Sequence, residues 1–357
     1  MSSWEYTESE LWRYNQNNVS IMHVFGAIAF SRNVLVFCEA REGDGSDANC
    51  PHSIYMKKSD NGGKSFGDNV VLVPSHGNCY VNPVPVYDHS SRRLFLFFAQ
   101  NMGNTSTQNY VMYSDNEGAT WSHPQNITAA LSDDENCRFH LPGPGHGIQL
   151  KNGRLIVQFW HRSYGIDVPT EERGYCVSFL YSDDGGKSWN HSPFFGRDCL
   201  ANESRITETD DRLIWNARVM TSDRYESYSY DGGQSWTEFA PSSIPPARRC
   251  DSSQVSLSAQ NGYENTVLFS HISSIDKRRD MEILISRDGG HTYDDKLSLM
   301  VGDAMPGYSD MCIIYEDAPV VGLIHARNNH VLFSRISMQT LTGGKFEDTS
   351  RNVWINV

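Results

Sequence analysis

The chain has 357 residues and a formal net charge of −13. Binding along a nucleic-acid backbone or an anionic membrane needs a basic stripe, so this balance argues against both, and any negatively charged ligand has to be held by locally placed arginines. No apolar stretch approaches the roughly 18 residues that suggest a spanning helix, and the opening Met1-Ser2-Ser3-Trp4-Glu5 lacks the basic-then-apolar pattern of a secretory leader. The expectation is a soluble protein without a membrane span, either cytoplasmic or secreted with its leader removed.

Along the chain, strand-length apolar runs alternate with one recurring turn signature. The run Asn33-Val34-Leu35-Val36-Phe37 precedes Ser59-Asp60-Asn61-Gly62-Gly63-Lys64-Ser65-Phe66. Arg93-Leu94-Phe95-Leu96-Phe97-Phe98 precedes Ser114-Asp115-Asn116-Glu117-Gly118-Ala119-Thr120-Trp121, and Arg154-Leu155-Ile156-Val157-Gln158-Phe159-Trp160 precedes Ser182-Asp183-Asp184-Gly185-Gly186-Lys187-Ser188-Trp189. A fourth copy runs from Ser229 to Trp236, and the run Thr266-Val267-Leu268-Phe269-Ser270 leads to a fifth from Ser286 to Tyr293.

The shared pattern is Ser-x-Asp/Asn-x-Gly-x-Ser/Thr-aromatic, with copies about 47 to 68 residues apart, near the period of one propeller blade per repeat. Asp or Asn accepts backbone N–H bonds, Gly supplies positive φ, and the closing aromatic is expected to cover the blade's edge. Short β-branched and aromatic runs, with no sustained helical period, predict an all-β chain. Radial repetition adds core blade by blade, so residues 1–357 are read as a single propeller domain.

Eight cysteines occur without a C-x-x-C pair, which disfavours a structural zinc site. Buried thiols are expected, with Cys50 and Cys79 the pair to examine for a disulfide. No metal site and no cofactor are predicted.

The five turns resemble the Asp-box of sialidases (neuraminidases), and other segments agree in order: Phe37-Cys38-Glu39-Ala40-Arg41, Gly143-Pro144-Gly145-His146-Gly147, Asn202-Glu203-Ser204, Trp215-Asn216-Ala217-Arg218 and Gly307-Tyr308-Ser309-Asp310. The resemblance implies a six-bladed β-propeller and a retaining exo-α-sialidase-like hydrolase acting on sialylated glycans or free α-ketosides of nonulosonic acids. It implies Tyr308 as nucleophile, Glu203 as its base, and Asp47 as general acid and then general base, with Asp44 as the alternative in the same loop. A neutral Tyr avoids the repulsion that a carboxylate nucleophile would meet from the substrate's own carboxylate, and sialidases are exceptions to the two-carboxylate rule for this reason.

For substrate binding the resemblance implies Arg41, Arg218 and Arg278, the neighbouring Arg279 being a rival in register. Guanidinium forks suit a carboxylate, since they bind it bidentately and stay charged. One arginine of the family's triad is missing, because the stretch that should carry it reads Ile21-Met22-His23-Val24-Phe25-Gly26; the glutamate that should support it is Ala326. Loss of both partners together avoids an orphaned buried charge. His23, Arg327 or both are expected to replace part of the lost contact, and the sugar is sialic acid or a relative such as Kdn or Kdo. A lectin-like propeller that binds without turnover is the alternative, as is a transferase or lyase using the same residues.

Overall fold

The structure is a computed structural model that describes residues 5–131, 137–164, 169, 172–258, 262–299 and 307–343. It is all-β apart from short helical turns, and its strands form six antiparallel sheets, as expected of six propeller blades. Blade 1 takes Val19–Phe30, Asn33–Glu42, His52–Ser59 and Val70–Val73 from the axis outward, and blade 2 takes Tyr80–Asp88, Arg93–Met102, Ser106–Ser114 and Gln125–Asn126. In blade 3 the innermost strand is split into Phe139–Pro142 and Ile148–Gln149, both paired with Leu155–Arg162. Blades 4 and 5 begin on Ser204–Glu208 and Ser253–Leu257. No helix among the described residues is long and apolar enough to cross a membrane.

Blade 6 is assembled from both ends of the chain. Its inner strands are Ser309–Tyr315, Pro319–Arg327 and His330–Ser337, while its outer strand is Tyr6–Arg13, antiparallel to His330–Ser337. This explains why six blades carry five signature turns. Each turn joins the third strand of blades 1 to 5 to its fourth, and in blade 6 the fourth strand comes from the far end of the sequence.

Within each turn the serine hydroxyl donates to the Asp or Asn and accepts the N–H of a glycine further along the same turn, as Ser182 does to Asp184 at 2.8 Å and from Gly186 at 2.8 Å. The carboxylate of Asp231 accepts the Ser235 N–H and hydroxyl, and these bonds lower its pKa to about 2. The closing aromatic does more than cover its own blade. Trp189 of blade 3 meets Phe97 of blade 2 edge-on at 4.8 Å, and Trp121 of blade 2 meets Phe37 of blade 1 at 6.1 Å. Phe66 of blade 1 meets Phe333 of blade 6 at 5.0 Å, and Trp236 of blade 4 lies 6.0 Å from Phe179 of blade 3. The turn is thus a seam between neighbours, since flat blades bury apolar area only against one another.

The axis is held by charge. Asp310 of blade 6 accepts the Ala27 N–H of blade 1 at 2.8 Å and the Ser253 hydroxyl of blade 5 at 2.8 Å, and pairs with His146 of blade 3 at 2.9 Å. Arg205 of blade 4 pairs with Asp251 at 2.8 Å and lies 3.8 Å from Asp310. A Cβ on Gly145, whose φ is +87°, would fall 2.3 Å from Arg205 Nη2, so this residue has to lack a side chain for the guanidinium to lie on the axis.

Phe97 is fully buried at the seam between blades 2 and 3. Phe97→Ala is expected to lower the free energy of unfolding by about 3–5 kcal/mol, measured by urea denaturation, because the flanking strands cannot collapse into the void.

Candidate active site

One mouth of the propeller collects the entry ends of the innermost strands, and the functional side chains stand there. Tyr308 and Glu203 each immediately precede an innermost strand, in blades 6 and 4, and both are buried. The Tyr308 hydroxyl donates to Glu203 Oε1 in a very short contact, and Arg218, at the end of the second strand of blade 4, reaches Glu203 Oε2 at 2.5 Å and the Tyr308 oxygen at 3.4 Å. Burial and then the Glu203 charge hold the Tyr308 pKa well above its ordinary value. The phenol therefore rests protonated with its hydrogen already directed at a base. Burial alone would disfavour the charge on Arg218, but the adjacent Glu203 outweighs it and the guanidinium stays charged. Its buried Nε has no hydrogen-bond partner, which leaves a donor available to an incoming anion.

Arg278 completes this side. Its guanidinium carbon lies 5.5 Å from the centroid of the Tyr308 ring, and it shares a cavity with Arg218. Gly307 makes the approach possible: its φ is +91°, and a Cβ there would come within 2.7 Å of Cys250 Sγ and 3.2 Å of Arg278 Cδ. Of the two candidates in register, Arg279 is instead tied to Asp276 at 3.3 Å and Asp280 at 3.7 Å.

The opposite side is the blade 1 loop that carries Asp47. Arg41 is buried, pairs with Glu39 at 2.8 Å and makes a short contact to Asp47, whose side chain is 81% exposed. Burial raises the Glu39 pKa to about 7 although Arg41 opposes the shift. Because protein carboxylates occupy its guanidinium, the geometry of Arg41 is that of a residue orienting Asp47, not of a free fork for substrate. The loop backbone is pinned by His52 Nε2 to Ser46 O at 2.9 Å and by Asn101 to Asp47 O at 3.2 Å. Asp44 accepts the Ser46 N–H at 3.0 Å in a local turn. Cys50 and Cys79 are free thiols standing against opposite nitrogens of His52, at 3.4 and 3.3 Å, so the disulfide considered for them is not formed.

His23 stands between the two sides. A β-bulge falls between His23 and Phe25, and Val24 within it has φ +48°, a costly conformation for a β-branched residue. The bulge turns the His23 ring onto Tyr308, with centroids 4.4 Å apart. Burial, then the Arg41 and Arg278 charges, hold its pKa well below the usual value, so the imidazole is neutral, and its Nδ1 has no partner. Arg327 is elsewhere: it pairs with Glu8 on the outer strand of blade 6 at 2.6 Å, and that pairing removes it from the expected contact. Ala326 is packed in an apolar cluster with Met22, Val24 and Tyr308, so the positions matched to the missing ion pair contribute hydrocarbon to the core.

Sequence reasoning missed Arg248 and Arg249, which line the same cavity as Arg218 and Arg278. Their signal was an Arg-Arg pair in an acidic chain, a few residues before the innermost strand of blade 5. It also passed over Cys137, His140 and His161, buried ligand types within 4.8 Å of one another in blade 3; His140 and His161 share a 2.8 Å Nδ1 to Nδ1 hydrogen bond, and His161 continues to Ser178 at 2.7 Å.

An Asp-box propeller whose mouth joins a buried Tyr to a Glu and two arginines is a propeller of the sialidase type. The chain belongs to the BNR repeat-like domain family, whose model matches residues 35–325. It is 27% identical over 292 residues to a sialidase of Bacteroides fragilis, covering 78% of this chain and 51% of that protein. It is 28% identical over 208 residues to human sialidase-3, covering 51% of this chain and 48% of that protein. The chain spans about half the length of these curated relatives. Among solved structures, the Hadza microbial sialidase Hz136 superposes with a TM-score of 0.81 at 22% identity, covering 92% of this chain and 68% of that one. The intramolecular trans-sialidase of Ruminococcus gnavus gives 0.77 at 18% identity, covering 93% and 98%. Likeness at this identity speaks to the fold.

The support beneath Asp47 is pH-sensitive. Burial and the Arg41 charge lower the His52 pKa to about 4. In the unfolded chain it titrates near its ordinary value of about 6.5, so the unfolded state takes up the proton first and stability falls as the pH drops through that window. Between pH 7 and 5, wild type is expected to lose about 2 kcal/mol more than His52→Asn, measured by denaturant unfolding at each pH.

Proposed function

We propose that this chain is a retaining exo-α-sialidase-like glycoside hydrolase that releases a terminal sialic acid, or a related 2-keto-3-deoxy acid such as Kdn or Kdo, from glycans or simple α-ketosides. The observation that carries the reading is the Tyr308 hydroxyl directed at Glu203 with Arg218 against both. A lectin has no chemical use for a phenol prepared for deprotonation.

Arg218 and Arg278 hold the substrate carboxylate and so fix the anomeric carbon over Tyr308. Asp47, exposed at the mouth beside Arg41, is the general acid of this reading: released from Arg41 and protonated, it gives its proton to the leaving oxygen. As the glycosidic bond breaks, the Tyr308 oxygen bonds to the anomeric carbon and its proton passes to Glu203. In the second step Asp47 takes a proton from water, the hydroxide displaces Tyr308, and the phenolic proton returns from Glu203, giving net retention. A sugar hydroxyl in place of that water would make the same intermediate a transferase product, so the products have to be identified as well as the rate.

His23 supplies the third contact to the carboxylate in this reading, from a ring packed on Tyr308 whose Nδ1 has no partner. A neutral imidazole offers one hydrogen bond where a guanidinium offers two charge-assisted ones, so binding is expected to be weaker by about 1–3 kcal/mol than with a full triad.

Release of aglycone from aryl α-ketosides of Neu5Ac, Kdn and Kdo tests the proposal. Tyr308→Phe is expected to lower kcat by about a thousandfold or more on the preferred sugar, and Asp47→Asn by about 10²–10⁴-fold on substrates with poor leaving groups and by less on aryl ones. Wild-type binding without turnover of any of the three, unaffected by Tyr308→Phe, would instead establish a lectin.

A further inference from the structure

The positive charge around the mouth exceeds what one carboxylate requires. Beyond Arg218 and Arg278, a cavity of about 440 Å³ is lined by Arg248, Arg249 and Lys277, and among the described residues Asp276 is the one acid in its lining. That acid is engaged, accepting from the Ser274 hydroxyl and from Arg279. Arg249 donates to Met220 O at 3.0 Å, and its own carbonyl lies 3.4 Å from Arg278 Nη2, which links the outer part of the cavity to the arginine beside Tyr308. Arg248 and Lys277 form no ion pair with any described residue, and both are exposed. Such a concentration runs against the net charge of −13, so general surface composition does not account for it.

We propose that Arg248, Arg249 and Lys277 form a second anion subsite, which makes this mouth selective for glycans carrying a further negative charge beside the residue that is removed. The proposal rests on the reading of Tyr308, Glu203 and Arg218 given above. Arg218 and Arg278 border both regions, so a ligand whose first carboxylate meets them directs its neighbouring sugar across Arg249 toward Arg248 and Lys277. Two cations that pair with no described acid gain most from a ligand anion, because no protein carboxylate has to be displaced. The recognised chemistry is a carboxylate or a sulfate ester on the penultimate sugar.

The test compares three substrates of equal linkage to the cleaved residue: sialyllactose, a disialyl glycan with a second carboxylate, and a sialyl glycan bearing a sulfate ester on the penultimate sugar. Wild type is expected to favour at least one dianionic substrate over sialyllactose by about tenfold in kcat/KM, with the preference falling as salt is raised. The double variant Arg248→Ala/Lys277→Ala should lose that preference while turning over sialyllactose within about twofold of wild type. A gain for the carboxylate alone or the sulfate alone identifies the source of the anion. Equal rates on all three substrates in wild type, or a preference that survives the double variant, overturn the subsite. If wild type hydrolyses none of them, the glycosidase reading fails separately, and calorimetric titration of the same glycans decides the subsite: tighter dianion binding lost in the double variant supports it, and indifference to the second charge overturns it.

Discussion

Everything in this propeller is organised around a knot of buried charge on its axis. Asp310, Arg205, Asp251 and His146 come from blades 6, 4, 5 and 3, and a backbone N–H of blade 1 joins them at Ala27. Five of six sheets are therefore tied at one point, where seams between flat blades can supply only sideways adhesion. The same knot serves as the floor beneath the mouth: Asp310 follows Tyr308 by two residues, Arg205 follows Glu203 by two, and successive residues in a strand alternate between faces. Nucleophile and base are thus held in fixed relation because their strands are clamped just beneath them. Burial raises the Asp251 pKa to about 7, while the His146 and Arg205 charges keep that of Asp310 low against its own burial.

The two sides of the mouth use opposite electrostatic strategies. Around Tyr308, the guanidinium groups of Arg218 and Arg278 stand beside a single described acid, Glu203, which suits an anionic ligand. Around Asp47, Arg41 is buried between two carboxylates and its charge is spent within the protein. His23 lies between them as a neutral ring, and the strained Val24 beneath it indicates that packing on Tyr308 is worth a local backbone cost. The apolar company of Ala326, Met22 and Val24 makes this region hydrocarbon where an ion pair was expected from the family pattern.

The all-β class, the repeats and most of the side chains that the structure gathers at the mouth were legible in the sequence because each depends on local chemistry. A turn that needs Ser, Asp, Gly and an aromatic in fixed order writes itself into eight consecutive residues. What could not be read depends on distant partners. The number of strands in blade 6 required knowing that Tyr6–Arg13 pairs with His330–Ser337, and the fate of Arg327 depended on Glu8. The role of Arg41 was obscured for the same reason: its motif is local, but its charge is committed to Asp47 by a loop whose path the motif does not encode. The seam-forming role of the box aromatics was missed because the partner ring lies in a neighbouring blade, far off in the sequence, as Phe37 is from Trp121 and Phe333 from Phe66.

Closure of the ring by Tyr6–Arg13 also sets the order of events during synthesis. Of the described strands, Tyr6–Arg13 comes first in the sequence and its hydrogen-bonding partner His330–Ser337 comes last, so blades 1 to 5 form beside an unsatisfied edge until that partner emerges. Loop closure over such a separation makes the final step slow relative to the local hairpins. Arg335 then locks the seam, bonding to Glu5 and to the Gly62 carbonyl of blade 1. Until that moment the nascent chain carries an open sheet edge available to another copy, which makes domain exchange through this strand the characteristic misassembly hazard of the fold.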